Sequence, residues 1–191
     1  MHGKECCGNC QTKFDYVALA NVTASDKYYG NRVPFEHLHE TIFAAMSALH
    51  KLDHIKKAMF YGRTLPNVEA SDDHCQALPV WIGQTDEQGA AIIHGVIGIA
   101  TEAGELLEAL LNAMNGKSFD AVNMAEEVGD VQWYIALLAK HCGFTLEESQ
   151  QINIAKLRMR FGDKFSEFDA NNRNLKAERS ILENGSNLQK A

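Results

Sequence analysis

The sequence predicts an all-α protein, a helical bundle with an extra N-terminal helical hairpin region and an irregular arm. Three observations carry this. Apolar residues recur at spacings of three and four over several long segments, as on one face of a helix. No proline follows Pro79, so the rest of the chain is free to form long helices. Strand signals, short alternating runs rich in β-branched residues, are weak throughout.

Residues 1–33 are rich in Gly, Asn, Lys and Asp and read as the irregular arm. The next division, 34–87, holds a helix and a connector. Phe43, Met46, Ala48, Leu49, Leu52, Ile55 and Met59 mark the apolar side of a helix over 36–61. Residues 64–87 are polar and read as the connector. A helical domain is expected over 88–183. Ile93, Ile97, Ala100, Leu107, Leu110, Leu111 and Met114 form one side of a helix over 88–114, stopped by Asn115-Gly116. Asp120 is placed to cap a helix running to about His141, and Gly143 closes it. A helix starts at Thr145 and is broken by Gly162, and a last one covers 166–183 before a polar tail, 184–191. A faint repeat links His39 through Ala58-Met59 to His94 through Ala113-Met114, with both landmarks offset by 55 residues. The first copy has Ser47 and His50 where the second has Glu102 and Glu105.

Composition narrows the function. The 191 residues are 46% hydrophobic and 23% charged, which suits a folded domain rather than a disordered chain. No membrane span or secretory leader is expected, and a reducing cytoplasm is the expected compartment. The net charge of −7 argues against a general nucleic-acid binder. Of the five cysteines, Cys7-x-x-Cys10 has half-zinc-site spacing, with His74 and Cys75 as the nearest second half. The favoured reading is a frayed terminus with incidental thiols.

The acids are concentrated. Glu102-x-x-Glu105 and Glu127-x-x-Asp130 lie on two successive helices. A spacing of three puts both acids of a pair on one helix face, where like charges repel. Two such pairs on core-rich helices suit either solvated polar faces or a compensating cation, and for the latter four carboxylates suit a hard ion such as Mg²⁺ or Mn²⁺. Gly104 and Gly129, inside the pairs, would allow close helix approach or leave room for a ligand. Downstream, Asn153, Lys156 and Arg160 share a helix face, with Lys164 beyond it. Seven acids against Lys117 give residues 102–130 a net −6, and residues 151–165 carry +3.

The runs HGVIGIATEAGELLEALL, NMAEEVGDVQWYIALLA and NIAKLRMRFGDKF resemble the MazG-like all-α nucleoside triphosphate pyrophosphatases. The third run is closest to the phage-type dATP/dGTP pyrophosphohydrolase branch. The resemblance covers roughly residues 90–168. It implies a Mg²⁺-dependent enzyme, with Mn²⁺ as a substitute, that splits a nucleoside triphosphate between the α and β phosphates. The substrate it suggests is a purine dNTP, dGTP or dATP. It places the metal on Glu102, Glu105, Glu127 and Asp130; the attacking water is activated by the metal, by a carboxylate or by both, with Glu105 the favoured base and Glu126 the other candidate. Substrate contacts fall to Asn153, Lys156, Arg160 and Lys164; by position alone His94 and Trp133 are further candidates to face the nucleotide, with packing in the core (or, for His94, on the surface) the favoured reading of each. It further implies a cytoplasmic homo-oligomer, dimer or tetramer, in the host cytoplasm if phage-encoded, with no nucleic-acid or membrane partner. Two alternatives stand beside it: a non-catalytic nucleotide-binding regulatory protein, and a dUTP- or dCTP-directed member of the same family. A di-iron bundle is disfavoured, because only Glu36-x-x-His39 has the required spacing.

Overall fold

The computed structural model describes residues 14–69 and 86–185. Among them the regular structure is all helical, as expected. It comprises α1 (Tyr16–Val22), a 3₁₀ turn (Gly30–Arg32), α2 (Phe35–Tyr61), α3 (Asp86–Met114), α4 (Ala121–Cys142), α5 (Leu146–Phe161), α6 (Glu167–Asn171) and α7 (Leu175–Gly185). Cys6, Cys7, Cys10, His74 and Cys75, and with them the half-zinc site, lie outside the described residues. The chain forms two compact units. One is Tyr29–Leu146, and the other joins Met1–Tyr28 to Glu147–Ala191. Divisions drawn from composition cut across these units, since 88–183 contributes to both.

In the unit Tyr29–Leu146, α3 packs against both α2 and α4. Asp120 caps α4 as expected, its carboxylate accepting from the backbone N–H groups of Val122 and Asn123 at 3.0 and 3.1 Å. Gly143 closes the helix in the left-handed region at φ 74°. The pair α2–α3 is antiparallel: His39 Nε2 lies 3.0 Å from Asn115 Oδ1, and the Phe60 ring stacks on His94 at 4.0 Å. These two contacts are related by the 55-residue offset, since 39 maps to 94 and 60 to 115. The same offset maps the contact between Leu49 and Gly104 onto itself. A Cβ on Gly104 would sit 2.9 Å from Leu49 Cβ, so the helices cross where a side chain is missing. The sequence repeat is thus also a pseudo-two-fold relation in space. At Gly129 a Cβ would meet nothing within 4 Å, so that glycine leaves open space rather than bringing helices together. The α3–α4 pair is also antiparallel and closer still. A Cβ on Gly98 would lie 2.1 Å from Tyr134 Cδ1.

The buried face of α2 differs from the expected stripe. Phe43, Ala48, Ile55 and Met59 are exposed, and Met46, Leu49 and Leu52 are half-buried. The buried residues are Ile42, Asp53 and Lys56. The helix is rotated to present a polar pair to α3, and it leaves several large apolar groups in solvent. By length and composition, residues 87–114 could cross a membrane, which the sequence reading did not foresee. Buried Glu102 and half-buried Glu105, with packed helices on two sides, make α3 the central helix of a bundle.

In the other unit, the arm expected to be irregular contains α1. Asp15 starts it, accepting from the Ala18 N–H at 3.0 Å. Leu19 and Val22 of α1 and Ile154 and Leu157 of α5 line a small shared hollow. The single helix expected over 166–183 is two, α6 and α7. The Asn171-Asn172-Arg173-Asn174 run breaks it, because Asn side chains compete for backbone groups. Asn174 then caps α7, accepting from the Ala177 N–H at 3.1 Å. Glu178 of α7 is 3% exposed and is gripped by Arg160 of α5 and by Arg173.

Candidate active site

Helices α2, α3 and α4 line an open pocket of about 420 Å³. Glu102 and Glu105 face it from α3, and Glu126, Glu127 and Asp130 from α4. Both acidic pairs sit on consecutive helical turns, so the antiparallel packing of α3 and α4 brings their faces together. Glu102, Glu127 and Asp130 each offer one carboxylate oxygen, all within 4.8 Å of one another. Glu105 lines the same pocket but stands outside that group. Three hard oxygens this close, two of them on buried side chains, fit a small divalent cation.

Electrostatics point the same way. Burial, then the charges of Glu105, Glu102, Asp130 and Glu126, push the Glu127 carboxyl up to about 7. Burial and the charges of Glu102 and Asp53 also raise Glu105, against the opposing pull of Lys57 and Lys56. For both carboxyls burial is the larger cause and the neighbouring acids add to it.

Helix α2 supplies groups the motifs did not announce. Lys56 donates to Glu102 Oε1 at 2.7 Å and to Thr101 Oγ1 at 2.8 Å. Its ammonium is 3.2 Å from Asp53 Oδ1 and 5.0 Å from the centre of the Tyr134 ring. The Thr101 hydroxyl donates to Gly98 O at 3.0 Å, which leaves its lone pairs for the ammonium. Lys57 pairs with Asp53 Oδ2. Burial works to lower the Lys56 pKa, but the Glu102 hydrogen bond and its other partners win, and Lys56 stays above its usual value. A signal existed in the sequence: Asp53 and Lys56 interrupt an apolar helix at spacings of four and three from Leu49, Leu52 and Met59.

Trp133 and Tyr61 line the pocket and are 55% and 52% exposed, so two aromatic rings are open to a ligand. Tyr61 and Tyr134 meet through their hydroxyls at 3.1 Å. His94 is not among the lining residues. It stacks on Phe60 and meets the edges of Tyr61, Trp133 and Tyr134, with Nε2 buried and, among the described residues, unpaired. Burial, then the Lys56 charge, lowers its pKa and favours the neutral ring. Asn153, Lys156, Arg160 and Lys164 belong to the other compact unit. There Arg160 is engaged by Glu178, with Nε donating to Oε1 at 2.8 Å.

Residues 96–165 match the family described as the MazG nucleotide pyrophosphohydrolase domain. The matched segment contains all four motif acids together with Asn153, Lys156, Arg160 and Lys164. It leaves out α2 and His94. The match supports nucleotide pyrophosphohydrolase chemistry in general and, with the buried acids, dependence on a divalent metal. No curated protein and no solved structure matches the chain.

Proposed function

We propose that the protein is a Mg²⁺-dependent pyrophosphohydrolase of a purine deoxynucleoside triphosphate, dGTP or dATP, yielding the monophosphate and pyrophosphate. The observation that carries this is the meeting of Glu102, Glu127 and Asp130 inside a segment that matches the MazG domain. Mg²⁺ held there, with Mn²⁺ as a substitute, would neutralise phosphate oxygens and polarise the phosphorus under attack. Glu105 is the favoured general base. Its raised pKa makes it a better proton acceptor than an ordinary carboxylate, and it faces the same pocket. Glu126, also facing the pocket, is the other candidate. The open faces of Trp133 and Tyr61 suit stacking of a nucleobase. Arg160, expected from the sequence to contact phosphate, is engaged instead in its ion pair with Glu178. We also expect a cytoplasmic dimer or tetramer. Phe43, Val96, Leu110 and Val122 are exposed apolar groups of the kind that a subunit contact covers.

The test is an assay of all dNTPs with Mg²⁺, scored for monophosphate plus pyrophosphate. A purine dNTP should be turned over fastest. Full activity after Glu102→Ala or Asp130→Ala would sink the site. Nucleotide binding by calorimetry without turnover would make the chain a regulatory binder instead.

A further inference from the structure

The pocket is lined by six carboxylates and two ammonium groups, and the ammonium of Lys56 is not at the rim. Lys56 is 2% exposed and comes from α2, outside the segment that matches the MazG domain. Its three oxygen neighbours, Glu102 Oε1, Thr101 Oγ1 and Asp53 Oδ1, lie at 2.7, 2.8 and 3.2 Å. The Asp53 oxygen is buried and forms an ion pair with the ammonium. Glu102 is therefore shared. It belongs to the oxygen group with Glu127 and Asp130, and it also holds Lys56.

We infer that Lys56 is a built-in second cation of this pocket, so that the chain without nucleotide takes up one divalent ion, not two. This rests on the metal reading proposed above. The ammonium is held between Glu102 and Asp53, and Glu102 with Glu127 and Asp130 would hold the divalent ion. A fixed ammonium does two things that a second ion would do. It offsets repulsion among the acids, and it locks one oxygen of Glu102 so that the carboxylate does not swing. Being covalently attached, it needs no free metal to fill its position. On this view α2 is a working part of the site, and Lys56 acts as a positioning residue through Glu102.

The experiment is Mn²⁺ titration of the full chain without nucleotide, followed by calorimetry and by the electron spin resonance signal of free Mn²⁺. Wild type should bind one equivalent. Lys56→Ala vacates the position and leaves Asp53 and Glu102 exposed to each other, so it should bind two. Its metal-free melting temperature should drop, and Mn²⁺ should raise it further than in wild type. Lys56→Arg should restore one equivalent. Two equivalents in wild type, or one of unchanged affinity in a folded Lys56→Ala, would overturn the inference. If Lys56→Ala folds only with metal, the stoichiometry of the metal-folded chain decides. Turnover of dNTPs is scored separately. An active wild type with two ions refutes the built-in cation alone, and one ion without turnover refutes the enzymatic reading alone.

Discussion

Glu127 on α4 and Glu178 on α7 are both buried, each within its own compact unit, and their surroundings differ sharply. Glu178 accepts from two guanidinium forks. Arg173 donates to it at 2.7 and 3.3 Å, and Arg160 reaches both of its oxygens. The hydrogen bonds of Arg173 and Arg160 hold its carboxyl down to about 2. Glu127 has four acids for company, and its carboxyl rises to about 7. The first glutamate is complete as it stands, and its role is to tie α5 and α7 together. The second is held at an electrostatic cost, and a cation would relieve it. Burial of an acid thus says little about function until its partners are known.

The largest expected effect comes from removing the strained charge. Loss of groups that only orient metal ligands costs about 10–100-fold in affinity or activity, so Glu127→Gln should cost at least about 100-fold in turnover. The same variant should melt no lower, and above neutral pH higher, than wild type in chelator. A drop in metal-free stability would mean that Glu127 is structural. The reverse holds for Glu178→Ala. Breaking a buried pair costs about 3–5 kcal/mol. Arg173 stays half in water, so about 2 kcal/mol is expected here, read by urea unfolding.

A pH series separates the two sites. Folded Glu178 keeps its charge down to about 2, whereas the ordinary value is 4.5. Its contribution is present above pH 4.5 and is lost as the pH falls towards 2. Folded, metal-free Glu127 keeps its proton up to about 7, whereas the unfolded chain releases it near 4.5. Stability in chelator should therefore fall as pH rises from 4.5 to 7, by a few degrees of melting temperature, and Glu127→Gln should remove that slope. Mg²⁺ must displace the proton, so its stabilising effect should grow across the same window. The smallest effect is expected from Arg173→Gln, which leaves the Arg160 fork in place. It should shift the acid-unfolding midpoint upward, by less than loss of both arginines does.

Much of this was legible in the sequence because it is local. Helix periodicity, the Asp120 cap, the glycine stops and the two acidic pairs all act within a few residues. What escaped depends on distant contacts. Arg160 reads as a free basic group until Glu178, 18 residues on, takes it. The rotation of α2 is set by α3, so Phe43 and Met59 were misplaced inside and Lys56 was passed over. The break before α7 was missed because a run of Asn and Arg is compatible with helix or turn until the cap at Asn174 decides.

Gly98 has a consequence of its own. The Tyr134 ring rests where its side chain would be, lies over the Lys56 ammonium and touches Tyr61 through its hydroxyl. A single methyl at Gly98 must push that ring aside, at about 1–3 kcal/mol for overpacking. The displacement would reach the ammonium and the rim of the pocket together. A position with no functional group of its own therefore sets the shape of the chamber. In a survey of all single substitutions, it should tolerate as little change as the acids themselves.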